Sequence, residues 1–238
     1  MKSGKVYIIP IPISDEPLTQ VLPDFNASIV RNIRIFIVER TKTARQFLRK
    51  MDRDFPIDDC TFFELDKHDL YTYDPNALKA LKEGQTVGLI SEAGYPGIAD
   101  PGAAFITAAQ KEAAAVVPLV GPSSIFLALA ASGMNGQGFT FHGYPPKKEP
   151  ERSKFLKRIG QDAIQSGYAQ IMIETPYRNA VFMDDCLKHI KGQVALTVAY
   201  NITGKTEKIL TKPLSDWRKK PFKFDKTPCV FILGTTRG

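Results

Sequence analysis

Residues 91–102 form a stretch rich in glycine, alanine and proline, which reads Ser-Glu-Ala-Gly-Tyr-Pro-Gly-Ile-Ala-Asp-Pro-Gly. The apolar run before it, residues 86–90, predicts a buried strand, and the alanine-rich run after it, residues 103–115, predicts a helix. A loop of small residues between a strand and a helix lets a ligand approach the backbone closely, because few side chains are in the way. The stretch therefore indicates ligand binding by backbone groups, although an ordinary connection between a strand and a helix would share its local pattern.

Two glutamates stand where predicted buried strands end. Glu39 follows residues 33–38, and Glu174 closes residues 170–174. A carboxylate at the end of a strand can take a proton from a ligand or stabilise a developing charge. It can equally be an ion-paired or solvated charge, and the sequence leaves both interpretations open.

Basic side chains are concentrated in two groups. The first recurs at intervals of three and four residues, which predicts one face of a helix over residues 42–52, and the second surrounds the start of a helix predicted at residues 152–159. The first group is Lys42, Arg45, Arg49 and Arg53, and the second is Lys147, Lys148, Arg152, Lys154, Lys157 and Arg158. Both groups suit a polyanionic partner such as RNA, and both could also be solvated faces.

Length and composition limit the class of protein. With 238 residues the chain can form one large domain or two small ones, and its formal net charge is +7. No apolar run approaches the roughly 20 residues of a membrane span, and the N-terminus has no signal-peptide pattern, so we expect no membrane association and a cytoplasmic protein. The cysteines and histidines are too dispersed to predict a disulfide framework or a metal site; they are Cys60, Cys186, Cys229, His68, His142 and His189.

Strand-like and helical runs alternate along the first half of the chain. This pattern predicts an α/β domain with a largely parallel sheet, because each helix crosses over between parallel strands. The predicted strands are residues 6–9, 33–38, 60–65, 86–90 and 116–119, and the predicted helices are residues 42–52, 75–82 and 103–115.

In the second half several strand-like runs follow one another without a helix, which predicts a mixed sheet. Strands are predicted at residues 139–143, 170–174, 194–200, 208–211 and 229–233, and helices at residues 125–132, 152–159 and 177–189. We therefore expect two α/β domains, an N-terminal domain of residues 1–120 with a parallel sheet and a C-terminal domain of residues 121–238 with a mixed sheet.

The stretch at residues 91–102 resembles the signature of the tetrapyrrole methylase superfamily. Within it, the stretch is most similar to the bacterial enzymes that methylate a ribose 2′-hydroxyl of small-subunit ribosomal RNA, which read Ser-Asp-Ala-Gly-Thr-Pro-x-Ile-Ser-Asp-Pro-Gly. The matching residues are Ser91, Ala93, Gly94, Pro96, Ile98, Asp100, Pro101 and Gly102. Further similar segments lie at residues 6–13, 118–124, 131–134, 143–147 and 173–178, so the resemblance covers nearly the whole chain.

The resemblance implies a two-domain α/β methyltransferase of the tetrapyrrole methylase-like fold, usually a dimer, that binds S-adenosylmethionine between its domains. It implies that the methyl donor is bound by Pro12, Ser91, Glu92, Ala93, Gly94, Tyr95, Ile98, Ala99, Gly121, Pro122, Ser123 and Ser124. Ser123 and Ser124 precede a predicted helix, where free N–H groups can hold the carboxylate of the donor, or where the serines simply cap the helix.

Methyl transfer from a sulfonium is an in-line displacement, so catalysis consists mainly of positioning the donor and the acceptor. A ribose hydroxyl has a pKa far above neutrality and benefits from a base or a charge that stabilises the developing alkoxide. The candidate catalytic residues are Glu39, Glu174 and Lys147, the last at the lysine position of the family. The candidate substrate-binding residues are Arg40, Lys42, Arg45, Arg49, Tyr177 and Arg178.

Departures from the motifs of the family are concentrated where acceptor recognition is expected. They are Arg40, Lys42, Tyr71, Thr72, Tyr177, Tyr200 and Asn201, of which four delete or reverse a charge. The tyrosines among them could stack on a base or another flat ring. We therefore expect an acceptor that differs from the ribose methylated by the most similar branch.

The leading hypothesis is an S-adenosylmethionine-dependent methyltransferase that acts on RNA by ribose 2′-O-methylation, as a cytoplasmic homodimer. Two alternatives stay open. One is a methyltransferase for a tetrapyrrole or another small acidic metabolite, and the other is a non-catalytic protein that binds S-adenosylmethionine. Basic groups outside a ligand cleft favour RNA, because a small ligand needs charge only inside the cleft.

Overall fold

The structure is a computed structural model that describes residues 4–66 and 72–235. The chain divides into two compact units, Met1–Ser123 and Ser124–Gly238, called here the N-terminal and C-terminal units. The division into domains of residues 1–120 and 121–238 stays a prediction. Within the described ranges, every helix is too short or too polar to cross a membrane.

The N-terminal unit contains a parallel sheet of five strands in the order β3-β2-β4-β1-β5. The strands are β1 (Lys5–Ile9), β2 (Ile35–Val38), β3 (Thr61–Glu64), β4 (Val87–Ile90) and β5 (Ala115–Pro118). The helices are α1 (Asp24–Val30), α2 (Thr41–Met51), α3 (Pro75–Lys82) and α4 (Ala103–Lys111). The parallel sheet predicted for the first half of the chain is confirmed.

Helices cover both faces of this sheet, because side chains on successive strand residues point to opposite faces. Helices α1 and α2 pack on the first face through Val30, Phe47 and neighbouring residues. Helices α3 and α4 pack on the second face through Leu81, Phe105 and neighbouring residues. Gly88 lies at the centre of β4, and a Cβ there would come within 2.9 Å of the Phe36 ring. The sheet is therefore a buried central layer.

The carboxyl ends of the five strands lie at one edge of this sheet, called here the carboxyl edge. Strands β1 and β2 lead to helices on the first face, whereas β4, which lies between them, leads to α4 on the second face. Crevices that bind ligands open where neighbouring strands send their connections to opposite faces. The loop at residues 91–102 follows β4, so it lies between two such positions, one beside β2 and one beside β1.

The C-terminal unit contains a mixed sheet of five strands in the order β6-β7-β10-β8-β9. Its elements are α5 (Ser124–Ser132), β6 (Phe139–Phe141), α6 (Glu151–Ser166), β7 (Ala169–Glu174), α7 (Asn179–His189), β8 (Ala195–Tyr200), β9 (Lys208–Pro213), α8 (Leu214–Lys219) and β10 (Cys229–Gly234). Strands β6 and β7 are parallel, and the other pairs are antiparallel. The predicted mixed sheet is confirmed.

Aromatic side chains connect the helices and strands in the core of the C-terminal unit. Trp217 of α8 is 1% exposed and donates from its indole N–H to the Leu196 carbonyl at 2.8 Å, which fixes α8 beside β8. Phe182 of α7 contacts Phe231 of β10 with ring centroids 5.0 Å apart. The helices and the central strand thus share one core.

Four helical segments differ from the sequence prediction. Helices α1 and α8 are short and were not predicted. Helix α4 ends at Lys111 rather than at residue 115, because Ala113 adopts a left-handed conformation with φ of 54°. Helix α6 continues from residue 159 to Ser166, because Ala163 still packs into the core, and it ends where Gly167 adopts φ of 67°.

Candidate functional site

A backbone bridge joins the loop after β1 to the loop after β4 at the carboxyl edge. The Ile11 N–H donates to the Gly94 carbonyl at 2.9 Å, and the Gly94 N–H donates to the Ile11 carbonyl at 3.1 Å. Gly94 has φ of 71°, and a Cβ there would lie 3.1 Å from Ile13 Cγ2 and 3.7 Å from the Pro122 carbonyl oxygen. Glycine is therefore required both for the backbone conformation and for the close approach of three loops.

The loop after β5 is held at the same edge by a tyrosine and a glycine. The Tyr95 hydroxyl donates to the Leu119 carbonyl at 2.9 Å, and burial raises the pKa of Tyr95. A Cβ on Gly121 would lie 2.2 Å from Pro10 Cγ, so only glycine fits beside that proline. The structure thus brings together the predicted donor residues of the three loops in this unit, which are Pro12, Ser91, Glu92, Ala93, Gly94, Tyr95, Ile98, Ala99, Gly121, Pro122 and Ser123.

These loops present mainly backbone groups and small apolar side chains. Ala93, Ile98 and Ala99 are exposed, and residues 91–102 contain no lysine or arginine. Ser91 is 4% exposed, and its hydroxyl donates to the Ala93 carbonyl at 3.3 Å, so this serine shapes the loop. Such a surface suits a ligand with a positively charged centre, because backbone carbonyls can face that charge. Ser124, the remaining predicted donor residue, is the first residue of α5 in the C-terminal unit.

Glu39 and Arg40 follow β2 and contact the loop after β4. The Glu39 carboxylate accepts a hydrogen bond from the Glu92 N–H at 3.2 Å. The Arg40 guanidinium lies 3.8 Å from the Glu92 carboxylate, in a pair that is partly exposed. A predicted catalytic residue and a predicted substrate-binding residue are therefore adjacent to the predicted donor loop, and Glu39 helps to fix the backbone of that loop.

Helix α2 has the amphipathic pattern that the sequence predicted. Ala44, Phe47 and Leu48 are buried. On the basic face, Arg45 pairs with the exposed Asp58 at 3.2 Å, and Arg49 donates to the Arg53 carbonyl at 2.7 Å. The remaining members of that face are Lys42 and Arg53, and both are exposed.

The predicted site residues of the C-terminal unit differ widely in environment. Glu174 is 5% exposed, and one of its oxygens accepts from Arg178 Nη2 at 2.5 Å, from Arg178 Nε at 3.0 Å and from the Thr175 N–H at 2.5 Å. Among the residues that the structure describes, its other oxygen is buried without a hydrogen-bond partner. Tyr177 is 76% exposed, and Lys147 is an exposed residue between β6 and α6. This geometry favours a structural role for the Glu174–Arg178 pair.

One sequence interpretation of the C-terminal unit is wrong. Tyr200 is 6% exposed and contacts the Phe222 ring at 5.3 Å, and a hydrogen bond to Asp225 raises its pKa, so it cannot form a stacking surface. In the second basic group, Arg152 is largely buried and lies 3.1 Å from Asp185, whereas the other five members are exposed. Tyr71 and His68 lie outside the described residues.

One grouping of ligand-type side chains was missed by the sequence analysis. Glu149, Asp185 and His189 place their polar atoms within 4.8 Å of one another. The spacing of Asp185 and His189, four residues apart on α7, is a signal that could have found it. Arg152 also contacts Asp185, and its positive charge opposes a cation there.

Comparisons with known proteins agree with this description. No family model matches the sequence. Ribosomal RNA small subunit methyltransferase I of Vibrio cholerae serotype O1 is 30% identical over 212 residues, which cover 89% of this chain and 69% of that protein. The protein of the same name from Halalkalibacterium halodurans is 26% identical over 90% of this chain and 69% of its own length.

Two solved structures share the fold. The methyltransferase CobJ superposes with a TM-score of 0.62 at 16% identity, over 98% of this chain and 95% of its own. Uroporphyrin III C-methyltransferase from Thermus thermophilus superposes with a TM-score of 0.55 at 12% identity, over 98% of both chains. The two-sheet architecture is therefore the tetrapyrrole methylase-like α/β fold.

The more specific assignment follows from the sequence relatives. At 30% identity over most of both proteins, the chain belongs to the ribosomal RNA small subunit methyltransferase I family. The fold, the superfamily and the enzyme class that the sequence predicted are thereby confirmed.

Proposed function

We propose that the protein transfers the methyl group of S-adenosylmethionine to a ribose 2′-hydroxyl of RNA. The observation that carries this proposal is the cradle of three loops at the carboxyl edge, in a chain whose relatives are named as ribosomal RNA methyltransferases.

The residues of the cradle fit this donor. A Cβ on residue 94 would fill the space beside the backbone there. Because Gly94 has no Cβ, that space suits a ligand that contacts the backbone. Bound there, S-adenosylmethionine supplies an electrophilic methyl group on a positively charged sulfur. The exposed Ala93 and Ile98 and the neighbouring carbonyls can face that charge.

Proton removal from the acceptor is the step for which the chain must supply a group. Of the three candidates, Glu39 is the one that contacts the donor loop, through the Glu92 N–H. Glu174 is enclosed by Arg178 and Thr175, which favours a positioning role, and Lys147 is exposed. We propose Glu39 as the group that accepts the proton or stabilises the alkoxide.

The proposed polyanionic acceptor agrees with the charge of the chain. The formal net charge is +7, and exposed charge is added by Lys42 on α2 and by Arg53 just after that helix. Phosphate contacts by such groups give affinity without sequence specificity. Arg40 and Tyr177 depart from the family motifs, and both are predicted to bind the substrate. We therefore still propose that the methylated nucleotide differs from the usual one.

We also propose that the enzyme acts in the cytoplasm as a homodimer. On α5, Phe126 is 51% exposed and Leu127 is 38% exposed, and the Phe126 ring contacts the exposed Phe139 ring at 6.0 Å. Neighbouring exposed apolar side chains of this size support a protein contact. Sedimentation equilibrium measures the mass directly, and a monomer at micromolar concentration would contradict the dimer.

Labelled methyl transfer with the purified protein tests the proposed function. Total RNA, small ribosomal subunits and a panel of tetrapyrroles are offered in parallel, and the methylated nucleotide is then mapped. We expect label in RNA at a ribose hydroxyl. Label in a tetrapyrrole would support the small-metabolite alternative, and donor binding without transfer to any acceptor would support the non-catalytic one.

A further inference from the structure

We propose that one edge of the sheet in the C-terminal unit binds single-stranded RNA, with Tyr177 stacking on a base and Lys226 contacting a phosphate. The inference rests on the proposed function and names the surface that would hold the acceptor. The sheet register defines this edge, because Glu174 of β7 and Tyr200 of β8 both pair with Cys229 of β10. We call it the Tyr177 edge; it comprises residues 174–178, 200–208 and 225–229.

Tyr177 is held as a rigid, exposed platform. It lies in a 3₁₀ turn, Pro176–Arg178, and 76% of it is exposed. The turn is fixed by the next residue, since Arg178 donates to the buried Glu174 carboxylate and to Thr175 Oγ1. An aromatic ring on a fixed backbone loses little entropy when a base stacks on it, and any base offers a suitable face.

Lys226 is positioned against the same ring. Its ammonium lies 5.4 Å from the centroid of the Tyr177 ring, a distance at which a cation is attracted by the aromatic face. The Asn179 side chain donates to the Thr227 carbonyl at 2.9 Å, and the Asn201 N–H donates to the Pro228 carbonyl at 3.0 Å. The segment that carries Lys226 is therefore anchored to both α7 and the end of β8.

The charges along the Tyr177 edge favour an anion that extends over several segments. Lys205, Lys208 and Lys226 are exposed, and across residues 4–66 and 72–235 none of them has a carboxylate within 4.0 Å. The acidic groups at this edge are engaged locally: Glu207 accepts from the Thr203 N–H at 2.7 Å, and Asp225 is hydrogen-bonded to Thr227 and Tyr200.

The backbone between β8 and β9 has an unusual conformation at the same edge. Asn201 has φ of 50° and Thr203 has φ of 66°, values that are uncommon for residues other than glycine. The Asn201 side chain donates to Thr206 Oγ1 at 2.7 Å, which stabilises the turn that leads to Lys205 and Lys208. Left-handed residues of this kind are concentrated at functional sites.

A strand of RNA fits these features better than a duplex or a small ring. A duplex would hide the base faces that Tyr177 could stack on, whereas splayed bases are the usual targets of aromatic platforms. Lysines on two separate segments suit successive phosphates of one strand, which spans a longer stretch of the edge than a single flat ring does.

Binding of a labelled single-stranded RNA oligonucleotide to the full chain, measured by fluorescence anisotropy over a range of salt, tests the proposal. Tyr177→Ala should weaken binding about tenfold or more, and Tyr177→Phe should keep it, because stacking needs the ring and not the hydroxyl. Lys226→Gln should lower the slope of log affinity against log salt by about 0.7.

Matched controls lie at the opposite edge of the same sheet. Tyr168 precedes β7 and is 48% exposed, and Lys191 precedes β8 and is exposed. Tyr168→Ala and Lys191→Gln should leave RNA affinity within about twofold of wild type, since neither touches the Tyr177 edge. Affinity for S-adenosylmethionine, measured by calorimetry, should be unchanged in all variants.

The outcomes separate this inference from the proposed function. If the wild-type protein binds and methylates RNA but Tyr177→Ala and Lys226→Gln bind it like wild type, the Tyr177 edge is not the RNA surface and the proposed function survives. If the wild-type protein neither binds nor methylates RNA, both fail. Binding of uroporphyrin that depends on Tyr177, without RNA binding, would replace RNA by a small acidic ligand.

Discussion

The carboxyl edge of the N-terminal unit and the Tyr177 edge of the C-terminal unit are built from different groups. The carboxyl edge is defined by backbone bonds and glycines, with the Ile11–Gly94 bridge at its centre. The Tyr177 edge is defined by side chains, with the Glu174–Arg178 pair supporting the exposed Tyr177. This difference suggests that the carboxyl edge fits a small ligand closely. The Tyr177 edge instead offers an aromatic ring and positive charges to a larger ligand.

The two edges also respond differently to sequence change. Backbone groups are the same for every residue, so a loop such as residues 91–102 keeps its hydrogen bonds as long as each residue can adopt its φ. Positive values of φ occur there at Gly94, Gly97 and Gly102, and also at Ala99. A surface of side chains changes its partner when a few residues change. The departures from the family motifs agree with this distinction, because Tyr177 and Asn201 lie at the Tyr177 edge.

The largest expected effect is loss of donor binding in Gly94→Leu. The left-handed φ of 71° and the 3.1 Å approach to Ile13 leave no room for a side chain, so we expect S-adenosylmethionine affinity to fall by more than about 100-fold. Calorimetry measures the affinity, and circular dichroism checks the fold. Gly133→Leu is the matched control, since Gly133 has the same φ and, within residues 4–66 and 72–235, an added Cβ there would meet no atom within 4 Å beyond its chain neighbours. Unchanged donor affinity in a folded Gly94→Leu protein would remove the donor-site assignment.

The next largest effect is expected for the pair of Glu174 and Arg178, which supports the Tyr177 edge. Glu174→Ala leaves Arg178 without its partner and should lower the free energy of unfolding by about 2–3 kcal/mol, somewhat less than for a fully buried pair because Arg178 is partly exposed. Urea unfolding measures this. Asp162→Ala removes the exposed pair with Arg158, also four residues apart, and should cost less than about 0.5 kcal/mol. Equal costs would show that Glu174 is not a structural anchor.

A smaller effect is expected on helix α2. Changing Lys42, Arg45, Arg49 and Arg53 to glutamine should lower the slope of log RNA affinity against log salt by up to about 0.7–0.9 for each phosphate that is no longer neutralised. Because Arg45 and Arg49 already have partners in the protein, the full reduction is not expected. Changing Lys79, Lys82 and Lys111 to glutamine, on the other face of the sheet, is the control. An unchanged slope would show that this face of α2 is a solvated surface that does not contact RNA.

The smallest effect is expected for Tyr95→Phe at the carboxyl edge. Losing the bond to the Leu119 carbonyl should lower the free energy of unfolding by about 1 kcal/mol. The pKa of Tyr95 is raised in the folded protein, so its contribution is complete below the usual value near 10 and is lost as pH rises through the folded value. The free energy of unfolding should therefore fall from neutral to alkaline pH in the wild-type protein, and it should fall less in Tyr95→Phe. Identical pH curves would contradict this linkage.

Local pattern was enough to predict much of the fold. Alternation of apolar runs with helical periodicity predicted the parallel sheet, and consecutive strands predicted the mixed one, because strand and helix have different periods. It failed where a helix end depends on one residue, as at Ala113, and where a short helix such as α8 is held by only two buried side chains, Leu214 and Trp217.

The candidate site was predictable to a similar degree. Residues 91–102 could be read as a ligand loop because small residues and a preceding strand lie next to each other in the sequence. The partners of those residues could not be read, since Ile11 and Leu119 are far from Gly94 and Tyr95 along the chain. The same reason hid the burial of Tyr200 and the contact between Tyr177 and Lys226.

The sequence by itself determined the two sheets, the small-residue loop at residues 91–102 and the membership of a methyltransferase family, because these depend on residue type and local spacing. Only the tertiary structure decided which side chains are available. It buried Glu174 and Tyr200, exposed Tyr177, and placed Glu39 against Glu92. The physical reason is that burial and pairing depend on contacts between segments distant in the chain, and each such contact changes what a charged or aromatic group can do.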